Sequence, residues 1–257
     1  MFRVVVCLLL IIINFVQGGK TMEKTLHKAA ERGYADHGWL KSYHSFSFAG
    51  YQNPAMMGFG LLRVINDDSI DAGTGFGTHP HRDMEIISIP LQGSLEHKDS
   101  MGNHFVIKRG EVQVMSAGSG ITHSEYNHSQ DEPAKFLQIW VHTKNKNITP
   151  SYAQASFDES TRKNKFQKIV SGQGEEGTLK INQDSSFSMA NIDSEVEVEY
   201  KRNYQNNGIY VFVIEGEVEV LGEKLTKRDA LGLSGVEDFK LKANERSEVL
   251  VIEVPLS

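Results

Sequence analysis

The sequence predicts an all-β protein built as two tandem antiparallel barrels, and three observations carry that expectation. Apolar and polar residues alternate with period two along most of the chain, turn formers recur at spacings of about 8 to 12 residues, and the second half weakly repeats the first. The 257 residues allow one large or two modest domains, and 39% hydrophobic content suffices for a real core.

Taken in order, Val4 to Ile13 is an unbroken apolar run preceded by Arg3 and followed by Val16-Gln17-Gly18. It is too short to span a bilayer comfortably. Two readings stand: translation begins at Met22 and residues 1–21 are an extension outside the folded body, or residues 1–18 are a signal peptide cleaved near Gly18. The first predicts a cytoplasmic protein and the second an exported one. Glu23 to Arg32 carries a short helical signal. Ser94 to Lys98 and His104 to Lys108 flank the turn formers Asp99-Ser100-Met101-Gly102-Asn103, which predicts a hairpin. Glycines 93, 110, 118 and 120 punctuate further strands. Ser151 to Lys165 is polar and reads as a linker, so the expected domains are 22–150 and 151–257, with the boundary near Pro150. Ile209 to Ile214, Glu217 to Val220 and Val249 to Val254 complete the strand pattern.

The repeat is visible in two alignments. Setting Leu91-Gln92-Gly93 on Ile214-Glu215-Gly216 puts Arg202 and Tyr204 opposite His79 and His81. Setting Leu137 to Val141 on Leu250 to Val254 puts Val236 and Asp238 opposite His123 and Glu125. No histidine follows His142, so an imidazole site belongs to the first half.

Net charge of -6, or -8 from Met22 because only Arg3 and Lys20 precede it, argues against nonspecific attraction to nucleic acid. Cys7 is the only cysteine, which excludes an intrachain disulfide and a thiolate metal site. The chemistry lies instead in two pairs, His79 with His81 and His123 with Glu125. Side chains two apart on a strand share a face, so each pair can aim into one barrel interior. Three imidazoles and a carboxylate suit Fe(II), Mn, Co, Ni, Cu or Zn. Glu85 shares the count with both histidines and is a possible fifth ligand; His97 reads as a pocket or hydrogen-bonded neighbour, and His44 as packing.

Gly73 through His79-Pro80-His81 to Glu85 resembles the first cupin motif, and Gly110 through Gly118 to His123 and Asn127 the second. Seven residues separate Glu85 from Gly93 where the common pattern has six, and Ser116 replaces a frequent proline. The longer strings His79 to Glu85, Met115 to Asn127, and Tyr43-His44-Ser45-Phe46-Ser47-Phe48 resemble the pirin family, from about Met22 to Pro255. Among its members, the short bacterial proteins credited with quercetin 2,3-dioxygenase activity are nearest in length. The resemblance implies two tandem cupin (double-stranded β-helix, jelly-roll) barrels, with one divalent metal, Fe(II) foremost, held only in the N-terminal one by His79, His81, His123 and Glu125. It implies a monomer that cleaves a flavonol-like substrate with O2, the flavonol losing its 3-hydroxyl proton to Glu125, the only acidic member of the set. It implies no membrane for the folded body and a start at Met22. The family's nuclear members imply a second reading, a metal- and redox-sensing regulator that binds a protein partner.

Overall fold

The computed structural model describes residues 15–17 and 20–257, so the apolar run Val4 to Ile13 lies outside the described residues. The first strands are β1 (Phe15–Gln17), β2 (Lys20–His27), β3 (Gly33–Asp36), β4 (Leu40–His44), β5 (Leu62–Ile70), β6 (Gly75–His81) and β7 (Met84–Gln92). Next come β8 (Ser94–Asp99), β9 (His104–Lys108), β10 (Glu111–Ser116), β11 (Ile121–Asn127), β12 (Ala134–His142) and β13 (Ser151–Ser156). The second half holds β14 (Gln167–Ser171), β15 (Leu179–Lys180), β16 (Ser186–Ile192), β17 (Glu197–Lys201) and β18 (Gly208–Glu215). It closes with β19 (Glu217–Val220), β20 (Glu223–Thr226), β21 (Ala230–Ser234), β22 (Asp238–Ala243) and β23 (Ser247–Val254).

Each half pairs a long sheet with a four-stranded one. In the first half the order β13-β10-β7-β12-β5-β4-β3 faces β6-β11-β8-β9. In the second, β1-β2-β21-β18-β23-β16-β14-β15 faces β17-β22-β19-β20. The two alignments read from sequence superpose β7 on β18 and β12 on β23, which are the central strands of the two long sheets.

Burial explains why these central strands read as continuous apolar runs rather than alternating ones. One face of each long sheet looks into its own barrel and the other packs on the opposite barrel. Ile65, Ile87, Leu137 and Ile139 from the first half and Phe187, Tyr210, Phe212 and Leu250 from the second therefore form one shared core. The second barrel is filled by Val198, Tyr200, Val211, Phe239, Leu241 and Val251. Apolar side chains occupy the interior where the first barrel carries its polar cluster.

Two expectations are corrected. Glu23 to Arg32 is not a helix: β2 pairs with β21 of the second barrel, from Glu23 opposite Ser234 to His27 opposite Ala230, and only Ala29–Glu31 turns as a 3-10 helix. Pairing with a waiting strand outweighs a weak local preference. Ser151 to Lys165 is not a linker, because β13 runs antiparallel to β10 from Ser151 opposite Ser116 to Ser156 opposite Glu111. Past it, a 3-10 turn (Glu159–Arg162) capped by Asp158 buries Arg162 against Glu248 at 3.1 Å. The first long sheet thus extends beyond Pro150, and the second takes its edge from the start of the chain.

Candidate metal centre

β6 and β11 bring the two sequence pairs together. β6 lies at the edge of its sheet, the place where Pro80 between the two histidines costs no ladder bond. Across the ladder His79 stands opposite His123 and His81 opposite Ile121. On the other side of β11, His123 faces Asp99 and Glu125 faces His97. The register shifts between His123 and Glu125, beside Gly75, where a Cβ would run into the backbone of Glu125. Gly118, at φ +47, turns the chain into β11 with no room for a side chain beside the Ile148 carbonyl.

His79, His81 and His123 each offer one nitrogen, all within 4.8 Å of one another, and their ring centroids lie 4.5 to 4.9 Å apart. His97, His123 and Glu125 form a second such group that shares His123. The structure therefore gathers all four sequence-predicted residues around His123, with Glu125 grouped alongside His97.

Several observations test whether a metal fits. His79 Nδ1 donates to the Gly77 carbonyl at 2.8 Å, which leaves Nε2 as a free lone pair. His123 Nε2 is buried with no hydrogen-bond partner among the described residues. Burial, reinforced by His79, His81 and His97, drives the His123 imidazole down to about 2, and burial with His79 beside it takes His81 to about 4. Both imidazoles are neutral at physiological pH. A nitrogen-rich cluster with an orphaned, neutral, buried donor fits a divalent transition metal.

Glu125 is buried, and that burial pushes its carboxyl up to about 7 against the opposing hydrogen bonds of Ser88 and Gln138. Gln138 Nε2 donates to Oε2 at 2.6 Å. Ser88 Oγ lies 3.1 Å from Oε1 and 3.0 Å from the Gln138 amide oxygen, so its single proton is shared between two acceptors. Oε1 is the less saturated oxygen.

Behind the cluster, His97 Nδ1 lies 3.5 Å from His123 Nδ1, and His97 Nε2 is 3.0 Å from Asp99 Oδ2. With the proton of His97 on Nε2 toward Asp99, Nδ1 is an acceptor for His123 Nδ1–H, which turns His123 Nε2 toward the cluster. Tyr152 of β13 packs over His97 with ring centroids 4.6 Å apart. Glu85 takes no part in the cluster. The turn at Asp83, φ +48, interrupts the strand and resets the face count. The Glu85 carboxylate accepts instead from Ser116 Oγ at 2.6 Å and from the backbone N–H of Asn182 in the second half at 3.0 Å.

A cavity of about 740 Å³ opens beside the histidines. Tyr34, Trp39, Phe48, Tyr51, Phe76 and Trp140 give it flat aromatic walls, and Ser42, His44, Asn66, Asp68 and Gln138 supply polar groups. Trp140 meets His81 edge-on at 4.9 Å. Sequence reading missed Asn66, Asp68 and Gln138, although each is a polar residue interrupting a strand whose neighbours Val64, Ile70, Leu137 and Ile139 are apolar.

Residues 25–141 match the family model described as Pirin, and residues 168–254 match the one described as Quercetinase C-terminal cupin domain. The chain belongs to the pirin family. Among pirin relatives, a protein of Escherichia coli strain K12 named quercetin 2,3-dioxygenase is 44% identical over 231 residues, covering 90% of this chain and 98% of its own. A pirin-like protein of Caulobacter vibrioides is 39% identical over 86% of this chain and 95% of its own. A bacterial pirin from Escherichia coli, solved in complex with nickel(II), superposes with TM-score 0.86 at 41% identity, over 91% of this chain and all of that one. Both halves are cupin barrels, and the N-terminal one carries the histidine cluster.

Proposed function

We propose that this pirin is a metal-dependent dioxygenase of the quercetin 2,3-dioxygenase type, acting on a flavonol with O2 at one divalent metal held by His79, His81, His123 and Glu125. The observation that carries the reading is the juxtaposition of a three-histidine cluster with a buried carboxyl group beside a cavity walled by aromatic rings. Fe(II) is the metal proposed. When bound, such a metal supplies Lewis acidity and electron transfer to the substrate and dioxygen.

The chain's own groups supply the rest. The aromatic walls accept a flat ring system and exclude water from it. Glu125 Oε1 takes the proton of the substrate hydroxyl, while Gln138 holds Oε2 and fixes the direction of the carboxylate. The names of the curated relatives support the choice of substrate. Action in the cytoplasm, from a start at Met22, belongs to the same proposal, since a reducing compartment keeps iron ferrous; the intact mass of the natively expressed protein tests it. Oxygen uptake with a flavonol, after chelation and after restoring each metal in turn, tests the activity. Uptake that appears only with metal and substrate together is expected, and its absence with every metal defeats the reading.

A further inference from the structure

The cavity carries a second set of polar groups, on β4 and β5. On β4 and β5, Ser42 stands opposite Asp68 and His44 opposite Asn66. The row continues on β12, where Gln138 faces Asn66. All five line the cavity, and His44, Asn66 and Asp68 are each more than nine-tenths buried. The flanking inward positions are Val64 and Ile70, so apolar residues fit this face, yet the chain places three polar groups there.

These groups are not fully used within the protein. Ser42 Oγ donates to Asp68 Oδ1. Asn66 Oδ1 and His44 Nδ1 are buried without a hydrogen-bond partner among the described residues. Buried polar atoms ordinarily find partners, and side chains that lack them inside a cavity point to what the cavity receives. Amide and carboxyl oxygens are acceptors and call for donors. A flat body between aromatic walls with donors on its rim is a hydroxylated aromatic ring.

Spacing fits such a ligand. Gln138, which holds Glu125, is two strands from His44, roughly 10 Å away. A molecule of linked aromatic rings that reaches the histidine cluster at one end places its far ring against β4 and β5.

We propose that Asp68, Asn66 and His44 form the subsite that recognises phenolic hydroxyls on the substrate ring that rests against β4 and β5. The inference rests on the flavonol reading above and adds which hydroxyl pattern the pocket selects. Asp68 and Asn66 accept from ring hydroxyls, and His44, held edge-on against Phe48 at 5.2 Å, completes the corner.

The test uses binding rather than turnover. Trp39 and Trp140 are the only two tryptophans, and both line the cavity, so intrinsic fluorescence reports occupancy. The metal-loaded protein is titrated without oxygen against flavonols carrying zero, one or two hydroxyls on the outer ring. Affinity is expected to rise about tenfold for each well-made hydrogen bond. Asn66→Leu and Asp68→Leu should flatten that gradient while retaining metal content; Asp68→Asn, which keeps an acceptor and similar volume, should preserve part of it should Asp68→Leu fail to fold. Equal affinity for the three flavonols, or an unchanged gradient in both folded leucine variants, overturns the subsite. Discrimination without cleavage in air defeats the dioxygenase reading and leaves the subsite standing, cleavage blind to outer-ring hydroxyls does the reverse, and no quenching by any flavonol defeats both.

Discussion

In the proposed reaction Glu125 combines two demands on one carboxyl, to stay close to the imidazoles and to receive a proton. Glu125→Gln keeps volume and an oxygen donor but removes charge and basicity. Some metal should remain, while flavonol oxygenation falls by about 10² to 10⁴-fold; unchanged turnover at full metal occupancy rules Glu125 out as the base. His97 stands behind His123, with the two Nδ1 atoms 3.5 Å apart, and His97→Phe preserves a ring for Tyr152 to pack on. Metal affinity, read by titration calorimetry, should drop about 10 to 100-fold. Asp68 gives a pH signature. Burial, with Asp67 and Glu125 nearby and Ser42 opposing, raises its carboxyl from 3.8 to about 7. Between those values the folded state holds a proton that the unfolded state has released, so this residue's contribution declines as pH rises through the window. Asp68→Asn does not titrate, and its melting temperature relative to the parent should climb from pH 4 to pH 7, by up to about 4 kcal/mol in stability; a difference independent of pH counts against a buried, neutral Asp68. His79, His81, His123 and Glu125 were legible because spacing two on a strand is a geometric statement. His44 was legible only as packing, since nothing in Tyr43-His44-Ser45 tells which of its faces borders a cavity.

At the scale of elements, local chemistry decided what could be read. The hairpin of β8 and β9 announces itself by its turn residues, and the pairing Ser94 with Lys108 follows from them. β18 and β23 were recognisable as strands, but their burial on both faces depends on a partner sheet from the first half of the chain. β2 and β13 were unreadable for a different reason. β13 is an edge strand and β2 lies next to the three-residue edge strand β1; both are half exposed, and their polar alternation matches a solvated segment as well as a sheet margin. β13 nonetheless supplies Tyr152 behind His97 and covers the edge of β10. A fragment ending at Pro150 should aggregate and bind metal poorly, since it exposes that edge and the apolar face of the shared core. Recovery of a soluble, monomeric, fully metallated 22–150 fragment would show that β13 is dispensable.

The whole molecule is two cupin barrels, of which the first carries the histidine cluster. One metal per chain is the expected stoichiometry, because the residues opposite the four ligands are Arg202, Tyr204, Val236 and Asp238, and an apolar cluster fills the second interior. Two tightly held metals per chain by elemental analysis contradict this. The second barrel contributes by other means: its sheet completes the core on which the first rests, and Asn182 holds Glu85. Calorimetry should therefore show both barrels unfolding in one transition, and truncation of a shared residue, as in Phe212→Ala, should lower stability by about 3 to 5 kcal/mol without splitting it. Two resolved transitions would make the barrels independent units.

β2, among the first described strands, hydrogen-bonds to β21, whose residues 230–234 come near the end of the chain. On the ribosome, then, the first barrel's strands emerge complete and can begin to associate, whereas β2, held only by the short strand β1, waits for β21. Closing so long a loop is slow, and an open strand edge invites wrong partners in the meantime. The second long sheet therefore closes after the first barrel's strands are made, so that the synthesis of residues 230–234, rather than completion of the first barrel, is the event that seats β2.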